Sequence, residues 1–182
     1  MSRLFPALLA TLAALPAAAQ TVTGDAAAAL LFPSKGAEVE MAPGDLLPKD
    51  QAKMLAMVAK DQPYYAAIAI SPEEGLMSEA TMAAANHHTV EAASAMALAQ
   101  CNAKKKGATD CVIVATVRPE GWEARPLQLS SGATEDFANY SGALAISAST
   151  GSWGIGNSGE EAVAACEAKQ QTATDCAVAI QN

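Results

Sequence analysis

His87 and His88 stand side by side and are the only histidines in the chain. An imidazole pair could move protons near neutral pH or ligate a metal. Adjacent side chains diverge on a strand or a helix, so the two rarely share one ion. They precede a helix start and read as a solvated turn. Gly154-Ile155-Gly156-Asn157-Ser158-Gly159 fits the glycine pattern that cradles a dinucleotide pyrophosphate, with Asp175 about twenty residues on. Such a site needs a parallel strand–helix–strand unit in a wide sheet. Here the preceding strand has already turned back at Gly151, so these glycines read as an edge strand beside Trp153. Glu73 and Glu74 fall in a turn, and Glu160 and Glu161 in a first helical turn. They read as solvated carboxylates or dipole partners, because a glycosidase pair needs two carboxyls facing across a cleft. Ser71 and Ser147 lack the surroundings of a nucleophile elbow. Asp110 and Asp175 read as partners of the local backbone. No residue is assigned a catalytic, cofactor-binding or metal-ligating role.

The four cysteines carry the clearest pattern. Cys101-Asn102-Ala103-Lys104-Lys105-Lys106-Gly107-Ala108-Thr109-Asp110-Cys111 recurs as Cys166-Glu167-Ala168-Lys169-Gln170-Gln171-Thr172-Ala173-Thr174-Asp175-Cys176. Zinc ligands usually sit two to four residues apart, so this wider spacing argues against a metal. Identical spacing with different flanks favours the bridges Cys101–Cys111 and Cys166–Cys176 over bridges between the copies.

The compartment follows from the N-terminus. Arg3, the apolar run Leu4–Leu15 and Pro16-Ala17-Ala18-Ala19 have the order of a secretory signal peptide, residues 1–19, with a mature chain expected from Gln20. The run is too short to cross a bilayer, so no membrane insertion is expected after cleavage. Export and an even cysteine count together imply disulfides in a periplasmic or extracellular protein. The net charge is −8, and loss of Arg3 makes it more negative. Such a surface repels nucleic acid and anionic lipid, and suits a cationic envelope or secreted protein.

The elements that carry these residues repeat as well. Residues 20–63 read as a loosely attached extension with a short apolar patch, Ala26–Phe32, and one helix over Pro48–Lys60. Repeat one, 64–117, opens with a strand, Tyr64–Ser71, and a turn at Pro72-Glu73-Glu74-Gly75. A return strand follows over Leu76–Ala84, then a helix capped by Thr89 and a strand from Cys111 to Val117. Repeat two, 141–182, has the same order: Gly142–Ser147, a turn ending at Gly151, Ser152–Asn157, a helix capped by Ser158, and Cys176–Ile180. It is shorter between turn and first cysteine. The connector 118–140 holds a turn at Arg118–Gly121, another strand over Trp122–Leu129, and a loop.

Ala67-Ile68-Ala69-Ile70-Ser71 and Ala143–Ser147, each with a turn glycine, a helix, a cysteine pair and a valine-rich strand, resemble a family of small secreted bacterial domains without an established function. The resemblance covers Tyr64–Asn182. It departs at Ser141, where an aromatic residue is usual and where repeat one has Tyr65. It implies no catalytic residues. The expected fold is α+β: two β-β-α-β repeats in an antiparallel sheet with both helices on one face, stapled by disulfides. Ile68, Ile70, Leu144, Ile146, Val112 and Val114 are the expected core, and the helices are expected on the isoleucine face. The expected function is non-catalytic binding of a protein or envelope component, with no cofactor. The competing readings are a small exported enzyme and a purely structural or oligomerising module.

Overall fold

The computed structural model describes residues 21–182. The signal peptide expected over Met1–Ala19, and the cleavage point before Gln20, lie outside them. Five helices and two antiparallel sheets form a disulfide-stapled α+β fold. Each repeat keeps its own sheet, so the expected single sheet is two. In repeat one, β2 (Ala66–Ile70), β3 (Met82–Ala84), α3 (Val90–Lys104) and β4 (Val112–Pro119) follow in order. In repeat two the order is β5 (Ala143–Ser147), β6 (Trp153–Gly156), α5 (Gly159–Lys169) and β7 (Cys176–Gln181). The first strand of each repeat lies between the other two. Even the irregularities match: the pairing slips between Ile68 and Ala69 in one repeat and between Leu144 and Ala145 in the other.

The helices α3 and α5 each start where a hydroxyl can satisfy a free N–H. Thr89 accepts from Ala92 N, and Ser158 from Glu161 N. Glu91 in one first turn, and Glu160 and Glu161 in the other, favour the same polarity. The face these helices choose overturns the expectation. α3 packs on the alanine side of its sheet, where Ala67, Ala69 and Ala84 meet Ala93, Ala97 and Cys101. α5 does the same with Ala143, Ala145, Ala162 and Cys166. Small side chains on both surfaces let helix and sheet approach closely, and dispersion contacts then replace bulk.

The large side chains point the other way. Ile68, Ile70, Val114 and Val117 are buried with Leu55, Ala59, Tyr64 and Tyr65. Leu144 and Ile180 are buried with Leu127, Leu129 and Ala27. Ile146 and Val112 are half-buried at the margins. Both sheet faces are therefore sensitive, in opposite directions. Ile70→Ala opens a void and is expected to cost about 2–5 kcal/mol. Ala69→Leu overfills the helix contact and is expected to cost about 1–3 kcal/mol, where an exposed alanine would tolerate the change. Urea melts of the two variants check both; an unchanged Ala69→Leu midpoint would put α3 on the wrong face.

The N-terminal extension is not loosely attached. It supplies α1 (Gly24–Leu30), β1 (Ala37–Met41) and α2 (Lys49–Ala59). β1 pairs with β4, making the first sheet four-stranded in the order β1-β4-β2-β3. α2 covers the isoleucine face of that sheet through Leu55 and Ala59. α1 crosses to the other repeat and buries Ala27 against Leu144 and Ile180. The expected strand over Trp122–Leu129 does not form. That stretch pairs with no strand, and Leu127 and Leu129 enter the second core instead. Arg125 holds it in place: its guanidinium donates to the Leu30 and Leu31 carbonyls and lies 3.7 Å from the Phe32 ring centroid. The short α4 (Ser131–Asp136) completes the connector.

The bridges Cys101–Cys111 and Cys166–Cys176 are both present, with Cα atoms 6.1 and 6.2 Å apart. Each ties the inner face of a helix to the strand that follows. Such bridges persist in oxidising compartments. Among the described residues no helix is long and apolar enough to cross a membrane. Closing a loop this short is worth about 3 kcal/mol in the chain-entropy account. The double change Cys166→Ala/Cys176→Ala is expected to lower the stability of the second repeat by about that amount, read in a denaturant melt of unreduced protein.

Candidate functional site

The histidine pair lies in the seam between the repeats, not in a solvated turn. His87 and His88 are 4% and 2% exposed. Tyr65 and His87 exchange backbone hydrogen bonds, Tyr65 N to His87 O and His87 N to Tyr65 O. His88 then turns its ring toward the other repeat. The Ser130 N–H donates to Nδ1 at 3.0 Å, so Nδ1 carries no proton. Nε2 therefore holds the ring proton and donates to the Ser152 carbonyl, also at 3.0 Å. One neutral imidazole joins repeat one, the connector and repeat two. Burial pushes its pKa down to about 4; the Ser152 carbonyl opposes this, His87 adds to it, and Asp175 opposes it. Burial also lowers His87, whose Nδ1 has no hydrogen-bond partner.

The surrounding backbone is fitted to this contact. Asn86 has φ of 62° and its Oδ1 accepts from Gly132 N. Gly151 has φ of +76°, and a side chain there would meet Asn86 O at 2.6 Å and His87 Cα at 2.8 Å. The turn glycine thus serves conformation and close approach together. Ser130 and Ser152 were not singled out in the sequence, because they lie 42 and 64 residues from His88. No local signal marks them.

The glycine run is a helix bed. A Cβ at Gly154 would lie 2.7 Å from Ala165 C, and closer still to Cys166 N and Ala162 O. One at Gly156 would lie 2.6 Å from Ala162 N. The glycines bring β6 against the side of α5, which leaves no room for a pyrophosphate between them. Ile155, between them, packs on the opposite face with Leu144. Asp175 serves the turn instead. It accepts from Ser147 Oγ and, at 2.9 Å, from Ser149 N. Burial works against its charge, but these bonds prevail and its pKa is lowered.

Repeat one makes the same turn-to-loop latch with the roles exchanged. Glu74 Oε1 accepts from Lys106 N and Gly107 N. Glu73 accepts from Thr109 Oγ1, Thr109 N and Ala108 N. The Thr109 hydroxyl is the main reason that the Glu73 pKa is lowered, and the Lys106 N–H that of Glu74. Glu73 is exposed and Glu74 half-buried, and both are engaged with the disulfide loop. Asp110, the counterpart of Asp175, instead pairs with Lys105 at 2.7 Å.

Two further features face solvent. A cleft of about 410 Å³ is lined by Lys35, Lys60, Asp61, Tyr64, Ser131 and Glu135, with both signs of charge. Leu46, Met54, Met57, Val58 and Met77 are the largely exposed large hydrophobics among the described residues; three lie on α2, Leu46 just before it and Met77 in repeat one. Among those residues no group of three or more His, Cys, Asp or Glu could hold a metal ion. No family model, curated protein or solved structure matches the chain.

Proposed function

We propose that the chain is an exported binding module, acting in the periplasm or outside the cell, that engages a protein or another envelope component without chemistry of its own. The observation that carries this reading is the outer surface of α2. Leu55 and Ala59 point into the core, while Met54, Met57 and Val58 are 52%, 75% and 57% exposed. Leu46, 43% exposed, lies just before this helix. Exposed apolar residues gathered on one element mark an interaction surface, and methionine adapts its shape to a partner. The net charge of −8 favours a partner of opposite sign. The disulfides and the N-terminal sequence support export.

Capture from envelope extract tests it. The triple change Met54→Gln/Met57→Gln/Val58→Gln alters exposed positions and is expected to leave the melt unchanged while removing the species retained by the parent protein. Equal capture by both would reject the α2 surface as the binding site.

A further inference from the structure

The first sheet ends in a strand whose outer side is open. β1 pairs with β4 without a slip from Ala37 to Met41. Ala42 N donates to Val114 O, and Glu120 N to Gly36 O. In an antiparallel ladder, bonded residues alternate. Gly36, Glu38, Glu40 and Ala42 therefore turn their backbone groups to β4. Ala37, Val39 and Met41 turn theirs outward, where no described residue pairs with them. The comparable edge of β7 is occupied, because Val22 bridges to Ile180. β3 and β6 are shorter than β1.

Natural sheets protect such an edge with charged side chains, proline, a bulge or a cover. Within β1 the only such device is charge. The strand has two glutamates, Glu38 and Glu40, both exposed and on the same face. Glu40 pairs with Arg118 at 3.0 Å, and Glu38 has no ion-pair partner among the described residues. Glu120 lies against Gly36 at the start of the strand. A space of about 270 Å³ beside the edge is lined by Glu38, Val39, Glu40 and Arg118. The apolar side chains of the strand, Ala37, Val39 and Met41, face the core under α2.

The glutamates decide which strand fits. A second copy of β1 pairing antiparallel must match odd-numbered residues with odd-numbered ones, since only those have free backbone groups. In the register that overlaps the whole strand, Glu38 faces Glu40 of the other copy, and like charges directly opposite are destabilising. The edge repels itself and accepts a cationic strand. Resting on the binding-module reading, we infer that β1 binds an extended segment of a partner protein by strand addition, with Lys or Arg at alternate positions opposite Glu38 and Glu40. The residues between them exchange backbone bonds with Ala37, Val39 and Met41, and their apolar side chains continue the face under α2.

A Lys-Val-Lys-Val-Lys peptide titrated into the full chain tests this. Binding is expected to slow hydrogen exchange at the Ala37, Val39 and Met41 amides. N-methylation of the valines, whose N–H groups must meet β1, is expected to abolish binding; N-methylation of the lysines, whose N–H groups point away, is expected to be tolerated. Glu38→Gln/Glu40→Gln should weaken the peptide by about tenfold, the scale of two exposed ion pairs. No binding, or equal loss with either methylation pattern, would overturn strand addition. Sedimentation should show a monomer, and a dimer held through β1 would overturn the charge argument. Loss of partner capture in the α2 variant without exchange protection at β1 would sink the edge assignment and leave the module reading standing. Protection at β1 with capture unaffected by the α2 variant would keep the edge assignment and reject the α2 surface as the binding site.

Discussion

Gly154→Ala is expected to unseat α5 and cost about 3 kcal/mol or more. The added methyl has no flexible side chain to displace. Ala165 C would be 2.7 Å away, with Cys166 N and Ala162 O closer. These are backbone atoms of a helix that the Cys166–Cys176 bridge holds to β7. Relief requires the helix to lift from β5 and β6, which exposes Ala143, Ala145 and Ala162 together. A loss of that size is a large part of the stability of a small protein. Gly75→Ala is the control. Its φ is +75°, but nothing lies within 4 Å of the added atom, so only the left-handed backbone penalty of about 1–2 kcal/mol applies. Guanidinium melts of the two variants give the comparison. Equal midpoints would show that β6 and α5 are not in such close contact.

Acidification should loosen the seam at His88. Its pKa falls from an ordinary 6.5 to about 4 on folding, chiefly through burial. Between those values the unfolded chain holds more protons than the folded one, so stability drops as pH falls from about 6.5 toward 4. The full difference is about 3 kcal/mol. The structural reason is specific. A second ring proton would sit on Nδ1, facing the Ser130 N–H that now donates to it. His87 is lowered too and acts in the same direction. Glu73, Glu74 and Asp175 also have lowered values. Their contribution is lost as pH falls through the ordinary carboxylate range and below, so it enters only at the acid end of the histidine window. His88→Phe is expected to cost about 2–5 kcal/mol at pH 7, since Ser130 N–H and Ser152 C=O are left buried without partners. It should also flatten most of the slope between pH 6.5 and 4.5. A slope that survives the substitution would assign the effect elsewhere.

Much of the fold was legible in the repeat. Matched cysteine spacing, turn glycines and hydroxyl caps located β2, α3, β4 and their counterparts β5, α5 and β7 within a residue or two. The helix-bearing face was misread for a physical reason. Large residues suggest where burial is greatest, whereas these helices are held by closeness, and alanine against alanine has no distinctive pattern in one dimension. β1 did leave a signal: Ala37-Glu38-Val39-Glu40-Met41 alternates with the period of a half-buried strand, but proline and glycine on either side made the region look like a linker. The histidines were misread because the groups that bury them arrive from the connector and from the other repeat. For the candidate surface, the overall acidity was visible early. Its placement along an open strand edge required the sheet.

Val22 bridges to Ile180, and Gly24 N donates to the side chain of Asn182. Ala27 and Ile180 share one apolar cluster. The oldest and newest parts of the described chain therefore meet in the course of assembly. The second repeat can form its hairpin, helix and bridge from neighbouring residues. Its large-residue side stays wet until a segment made long before returns to cover it. Loop closure over that distance is slow compared with local pairing. The second repeat is thus the half that cannot be sealed from its own neighbours, and its closure waits on a segment from the far end of the described chain.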